Sequence, residues 1–364
     1  MKTYKTYSLI ILGLVFSYSL LAQGKDKLIT DWLFVYYMPY DNNLSHLSDT
    51  ILSMLKNNIK SNDAIVTVQA DLRDMKGIKR YLYSSDTSYV DKIPDEYSAH
   101  TKTYKNYLNW AVSNVSYNHI AVILLDHGGK LDELCLDERP QYKFLKVDSV
   151  ATAIKEVIGD NKIDLLYLQV CTKASIEPLF EFRDIAKYTL SSQKKMGAPN
   201  YYYKNLFNSF SSAKLANGYE IAELIAKNER EDMYSSLTLI DNSKLDSLLI
   251  MFKEFSSQLE KLNDIQLKAY PLDFIYYGDY YWDLISTLES IDLRDHKEID
   301  KLRQLIINYL QNELIVFHKK NPVKNSMADY CGISMVKNWN IDEIKYHKLE
   351  FYSVLKAIRA LKLK

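Results

Sequence analysis

The chain reads as an α/β protein with a mostly parallel sheet covered by helices on both faces. Strand-length apolar runs recur along it, among them WLFVYYM (32–38), AIVTVQADL (64–72), HIAVILL (119–125) and IDLLYLQV (163–170). Segments with helical patterning separate them, an alternation that suits parallel strands joined by crossover helices. After the Trp32–Met38 strand, Asp41-Asn42-Asn43 supplies turn and N-cap chemistry for a helix through about Asn58. Ala64–Leu72 is the second strand and Arg80–Tyr83 a short third one, followed by a polar, loop-like stretch from Ser84 to His100. A helix over Tyr104–Val115 leads into the 119–125 strand. A charged loop with Asp132, Glu133, Asp137, Glu138, Arg139 and Pro140 precedes a helix at about Val147–Ile158. After the 163–170 strand come a helix at about Ser175–Phe182 and a strand, Tyr188–Leu190, that ends at Ser191-Ser192-Gln193. The loop Lys194–Tyr203 carries Gly197, Pro199 and three consecutive tyrosines. It suits either an ordinary surface loop or a substrate contact. Helical patterns then dominate, at about Ser243–Leu262 and Asp300–Phe317, with strands at Ser236–Ile240 and Gly332–Val336 and a closing helix at Phe351–Leu361.

With 364 residues, 47% of them hydrophobic and 25% charged, the chain is globular in composition and long enough for one large domain or two ordinary ones. The 46 basic and 46 acidic residues cancel, which points away from nucleic-acid or membrane-surface partners. The 30 tyrosines suit both contact surfaces and amphipathic positions at the edge of a core. Lys2 and Lys5 precede an apolar segment from Leu9 to Leu21, and Ala22 is a small residue before Gln23. This is the pattern of an export signal, although Leu20 at the −3 position departs from the usual small residue. The apolar segment is short for a membrane span, so export with cleavage is expected and no span in the mature chain, an uncleaved anchor being the alternative. The expected division is a signal peptide at 1–22, a core at 23–240 and a helix-rich C-terminal region at 241–364. That last region packs on the core and contributes a late strand. Cys135, Cys171 and Cys331 are too few for a disulfide framework, and no cysteine or histidine spacing suits zinc. No metal or cofactor is expected.

Two of the strands end on reactive residues. The 119–125 run meets Asp126-His127-Gly128-Gly129, and the 163–170 run meets Cys171. Open parallel sheets bind their ligands outside the carboxyl ends of the strands. Side by side, these two strands bring an imidazole and a thiol to one edge, as a cysteine nucleophile and its base require. The glycines let backbone approach a ligand closely, and a glycine N–H after the histidine is placed to serve an oxyanion. A helix start close behind Cys171 favours the thiolate. The other six histidines lack this context and read as surface or core residues. Cys135, in a loop, and Cys331, opening an interior strand, read as structural.

In combination these segments resemble the clostripain family of cysteine peptidases, in the caspase-like clan with gingipains, legumains and caspases. The resemblance begins at WLFVYYMPYDNNL from Trp32 and continues through LLDHGG (124–129) and IDLLYLQVC (163–171), with Ala174, Glu177 and Arg183 following. Tyr188–Gln193, SSLTLIDNSKLDSL (235–248) and YCGISMV (330–336) extend it over most of the chain. It implies a caspase-like three-layer αβα sandwich with a helix-rich C-terminal extension. It also implies an endopeptidase acting on peptide or protein substrates; with the signal it is expected to be exported, and a monomer is expected. His127 would be the base, Cys171 the nucleophile, and the N–H groups of Gly128 and Cys171 the oxyanion hole. The reaction would pass through a thioester acyl-enzyme. No third catalytic carboxylate is assigned, since Asp126 need not point at the imidazole.

The departures from the family are as informative. Where the family commonly places an aspartate that selects Arg or Lys at P1, two residues before the cysteine, this chain has Gln169. A neutral amide lacks the pull of a carboxylate on a guanidinium, so strict Arg/Lys specificity is not expected. Gln169, Ser192 and Tyr201 are the candidate lining of that S1 pocket. Thr172-Lys173 replaces the family's Leu-Met after the cysteine, and KKMGAPNYYY replaces its glycine-rich loop with a tryptophan. Self-cleavage after Arg139, Lys143 or Lys146, as in some relatives, is disfavoured by the neutral pocket. The rival reading is a degenerate member that binds peptides or a partner without turnover. An acyl-transferring ligase is a third, which no residue selects.

Overall fold

The structure, a computed structural model, describes residues 27–73, 77–212, 214–321, 330–337 and 346–363. The signal segment expected at 1–22 and its cleavage point lie outside them. The chain runs through strands β1 (Leu28–Tyr40), β2 (Ala64–Leu72), β3 (Ile78–Tyr83), β4 (Ser88–Ile93) and β5 (Val115–Leu125). It continues through β6 (Glu133–Asp137), β7 (Lys143–Lys146), β8 (Ile163–Gln169) and β9 (Ala186–Ser191). The C-terminal part adds β10 (Ser236–Asp241), β11 (Asp273–Tyr276), β12 (Asp279–Asp283), β13 (Ile315–Lys320) and β14 (Ser334–Val336).

Nine of these strands form one sheet in the order β13-β10-β9-β8-β5-β1-β2-β3-β4. The five central strands, β9 to β2 in that order, pair in parallel. The outer pairs on both sides are antiparallel. The parallel strands are apolar without interruption because both of their faces are covered. On one face Trp32, Phe34, Tyr36, Ile123, Leu165 and Tyr167 pack against the helices Ser48–Asn58, Tyr203–Ser209 and Gly218–Asn228. On the other, Leu33, Val35, Tyr37, Val122, Leu166 and Leu168 pack against the helices Thr101–Asn114 and Val147–Ile158. This is a three-layer αβα sandwich. Adjacent residues of each strand serve opposite layers, as the period of two requires.

A third core joins the short helix Ile176–Glu181 to the C-terminal helices Leu245–Leu259, Leu284–Ser290 and Lys297–Tyr309 and to residues 351–361. The helix expected over Asp300–Phe317 ends sooner, and its last residues become β13, the outermost strand beside β10. The late strand expected at Gly332–Val336 is Ser334–Val336, in a separate three-stranded sheet with β11 and β12. Five further strands lie where loops or helices were expected. β4 is largely exposed at the sheet edge, and β6 and β7 form a hairpin in the charged loop. β11 and β12 form another, whose two loop residues, Tyr277 (φ 50°) and Gly278 (φ 83°), both take left-handed conformations. Such a pair suits the tight two-residue turn of a twisted hairpin. Many of the tyrosines are core residues, among them Tyr36, Tyr37, Tyr104, Tyr107, Tyr167, Tyr202 and Tyr203. No helix among the described residues is long and apolar enough to cross a membrane.

Candidate active site

β1 is followed on one side by β2 and on the other by β5, so the strand order reverses at the β1–β5 boundary. The carboxyl ends on either side of such a reversal open a crevice. The loops after β1, β5 and β8 carry Asp41-Asn42-Asn43, Asp126-His127-Gly128 and Val170-Cys171 to this edge. β5 and β8 are neighbours, in a register that pairs Leu125 with Gln169. Two residues further along each chain, His127 and Cys171 stand level on the same edge. The backbones nearly touch: a Cβ on Gly128 would lie 2.2 Å from the Cys171 carbonyl oxygen. Only glycine allows that approach.

The imidazole of His127 is oriented by Asn43, whose Oδ1 lies 2.7 Å from Nε2. Because an amide oxygen only accepts, Nε2 carries the proton and Nδ1 is the basic nitrogen. Burial holds the pKa of His127 below its ordinary value. The ring's partner is Asn43, and the Asp126 carboxylate is engaged by other groups. It accepts from Asn42 Nδ2 at 2.8 Å and from the Leu136 N–H at 2.6 Å, and burial raises its pKa well above the carboxylate range. It ties β1, β5 and β6 together below the site.

Cys171 is 8% exposed. Its Sγ accepts from the Met196 N–H at 3.3 Å and lies 3.6 Å from the Met196 carbonyl oxygen. The donor beside the sulfur is therefore this loop N–H, and the helix behind it, Ile176–Glu181, is only six residues long. Thr172 follows in the left-handed region (φ 59°), which a β-branched residue rarely enters and which costs about 1–3 kcal/mol. The conformation is held by the Thr172 N–H donating to the Lys194 carbonyl and by Thr172 Oγ1 donating to the Cys171 carbonyl, both at 2.8 Å. Lys173 is fully buried, and its Nζ donates to the carbonyls of Gly129 (3.0 Å) and Lys130 (2.7 Å). Burial lowers its pKa to about 8, against the opposing pull of Asp279, Asp132 and Glu133.

The tip of the β11–β12 hairpin lies beside the nucleophile. Tyr276 is close enough to the Cys171 thiol to feel it, and its pKa is raised chiefly by burial and then by that thiol. Tyr277 beside it packs edge-on against Phe144 of β7, with ring centroids 5.8 Å apart. The sequence signal for this hairpin was available: a Tyr-Gly pair between two aromatic runs, DFIY and DYYW.

Of the three residues expected to line S1, Gln169 is nearest the sulfur in sequence and, two residues before it on β8, shares its side of the sheet. Its amide is engaged on every side. Oε1 accepts from Tyr202 Oη at 2.9 Å, while Nε2 donates to Asn200 Oδ1 and reaches Tyr203 Oη at 3.4 Å. Behind it, Asn200 Nδ2 donates to the buried carboxylate of Glu229 at 2.8 Å. Burial raises the pKa of Glu229, while the N–H groups of Tyr201 and Arg230 oppose the shift. Ser192 is fully buried, and its carbonyl accepts from the Ala174 N–H at 3.0 Å. Tyr201 is half-buried, with the Arg230 guanidinium 3.9 Å above its ring. Cys135 is buried in the second core, and Cys331 Sγ donates to the Ile333 carbonyl at 3.3 Å. Burial raises the pKa of both thiols, as inert cysteines show.

Among the described residues, Asp41, Asp71 and Asp137 are the group whose oxygens, all within 4.8 Å, lie close enough to share a cation. Arg139 already donates from Nε to both oxygens of Asp41 at 2.8 Å, and Ser98 donates to Asp71 and Asp137 at 2.7 Å. A cavity of about 600 Å³, lined by Ile29, Asp31, Asn62, Asn118 and Lys214, opens at the opposite end of the strands, away from this chemistry.

Comparison with known proteins agrees with this architecture. Three solved structures align along almost their whole length. A secreted C11 cysteine protease from Bacteroides thetaiotaomicron, bound to an irreversible peptide inhibitor, has 16% identity and a TM-score of 0.67, over 90% of this chain and 99% of that one. An inactive zymogen C11 protease from Parabacteroides distasonis has 14% identity and a TM-score of 0.64, over 92% and 99%. A further structure of a secreted C11 cysteine protease from Bacteroides thetaiotaomicron, iotapain, has 14% identity and a TM-score of 0.63, over 89% and 99%. No curated protein matches the chain significantly in sequence. The model of the clostripain family matches residues 36–344, a span that takes in both strand ends and most of the C-terminal region, and the chain is a member of that family of cysteine peptidases.

Proposed function

We propose that the peptidase works through a His127–Cys171 dyad, with the N–H groups of Gly128 and Cys171 as its oxyanion hole. The observation that carries this is the β5–β8 register, which brings both residues level at one sheet edge with Gly128 against the Cys171 backbone. The Cys171 thiol gives its proton to His127 Nδ1, and the sulfur attacks the scissile carbonyl carbon. The carbonyl oxygen takes the electron pair and is stabilised by the two N–H groups. Collapse of this intermediate expels the amine, which takes the proton from His127, and leaves a thioester on Cys171. His127 then deprotonates a water that attacks the thioester, releasing the acid and restoring the thiol. The chain is exported behind its N-terminal signal and acts on peptides or proteins as a monomeric endopeptidase. Arg or Lys at P1 is not strictly required, because Gln169 is neutral and its amide is already engaged.

Peptide-library hydrolysis by wild type and Cys171→Ala tests the dyad. Loss of the nucleophile should lower turnover at least about 10³-fold, and activity that survives the change would sink the assignment. The hairpin beside Cys171 favours a second reading, a binding protein without turnover. A thiol-reactive probe separates the two, since rapid labelling at Cys171 but not at Cys135 or Cys331 belongs to the enzyme. Arg139 and Lys143 are exposed, but self-cleavage after them or after Lys146 is disfavoured by the neutral Gln169.

A further inference from the structure

We infer that Lys173 is a positioning residue for the oxyanion hole, clamping the loop that follows His127 from the side of the nucleophile. The inference rests on the dyad reading. The peptide that presents the Gly128 N–H is followed by Gly129, and two successive glycines leave the backbone torsions of a loop almost free. Its orientation must therefore be imposed from outside. The N–H side of the loop is held by acceptors. The Gly129 N–H donates to the Glu133 carbonyl at 3.1 Å, the Lys130 N–H to Glu133 Oε2 at 2.9 Å, and the Leu131 N–H to Asp279 Oδ2 at 2.7 Å. The carbonyl side is held by Lys173, whose ammonium donates to Gly129 and Lys130 together.

A fully buried ammonium bonded to two main-chain carbonyls costs desolvation that a methionine of similar length would avoid. What the charge supplies is directional, charge-assisted hydrogen bonding to two consecutive peptides. The residue lies two positions after Cys171, where Thr172 already takes a left-handed conformation. One three-residue segment thus carries the nucleophile, one oxyanion donor and the clamp for the other donor. Thr172-Lys173, the substitution that set this chain apart from its family's pattern, thereby gains a role in the geometry of the reaction.

Lys173→Met and Lys173→Gln test this, since glutamine is uncharged and too short to reach both carbonyls. Each should lower kcat for peptide hydrolysis about 10- to 100-fold, less than or comparable to the loss of an oxyanion donor. KM should move less than about threefold, and alkylation of Cys171 by iodoacetamide, which needs no oxyanion hole, should fall less than kcat does, by no more than the loss of the nearby Lys173 charge accounts for. Wild-type kcat in either variant overturns the inference. So does an alkylation rate that falls as far as kcat, with a lower melting temperature, in both variants, which would mark a purely structural lysine. Turnover in wild type with no change in the variants defeats this inference alone. A wild type that is alkylated at Cys171 but hydrolyses no peptide defeats the peptidase mechanism and this inference with it.

Discussion

The His127 ring is half-buried, bound through Nε2 to Asn43, and held below its ordinary pKa by burial. A base so shifted is neutral, and competent, at pH values where an exposed histidine is already protonated. The acid limb of kcat/KM should therefore fall below pH 6.5, and a limb above that value would contradict the environment described. At Gln169 the expectation concerns specificity. Gln169→Asp places a carboxylate where the neutral amide stands, and should raise kcat/KM for Arg and Lys at P1 by about tenfold or more. A P1 profile unchanged by that variant would show that this position does not face the P1 side chain. His127 and Cys171 stand out in the sequence as candidates because each closes an apolar strand. Asn43, Met196 and Tyr276 do not, because their relation to the site depends on contacts between segments distant in sequence.

At the scale of elements, β2, β8 and the helix Val147–Ile158 keep their sequence-based bounds to within a residue, while β1 and β5 each begin four residues earlier than their apolar runs. Burial on two faces, or on one helical stripe, leaves a strong pattern. β4 was missed because an exposed edge strand needs no apolar run, and SYVDKI has little of one. The β6–β7 hairpin was hidden by charges that are partnered in the structure, such as Lys146 with Asp132 and Glu133. β13 looked like the end of a helix because IVFHK continues the apolar spacing, and its pairing with β10 overrides that pattern. The β11–β12 hairpin is the element whose function is most open to test. Tyr276→Ala removes the ring and hydroxyl beside the sulfur, and should speed alkylation of Cys171 severalfold. An unchanged or slower rate would show that the hairpin does not limit access.

Over the whole molecule, the C-terminal region is bound into the sheet and the site alike. It supplies β13 at the sheet edge, and Asp283 and Gly332 bond to the two ends of the Gln193 amide at 2.9 and 3.0 Å. The Ser334 N–H donates to the Ala174 carbonyl at 2.8 Å, three residues from the nucleophile. A chain ended after Asp241 would also expose Ile176, Leu179 and Phe180 of the third core. Such a truncation should be insoluble or lack cooperative unfolding by near-ultraviolet circular dichroism, and a soluble, cooperatively folding 23–241 fragment would refute this. Local pattern alone settles the α/β class, the parallel centre and the two strand ends that carry imidazole and thiol, since burial periodicity and strand length are written in consecutive residues. Packing between distant segments decides what stands around them: Asn43 on the imidazole, the tyrosine hairpin beside the sulfur, the saturated Gln169 and the Lys173 clamp. Hydrogen bonds and burial between such segments depend on three-dimensional proximity, which no local spacing encodes.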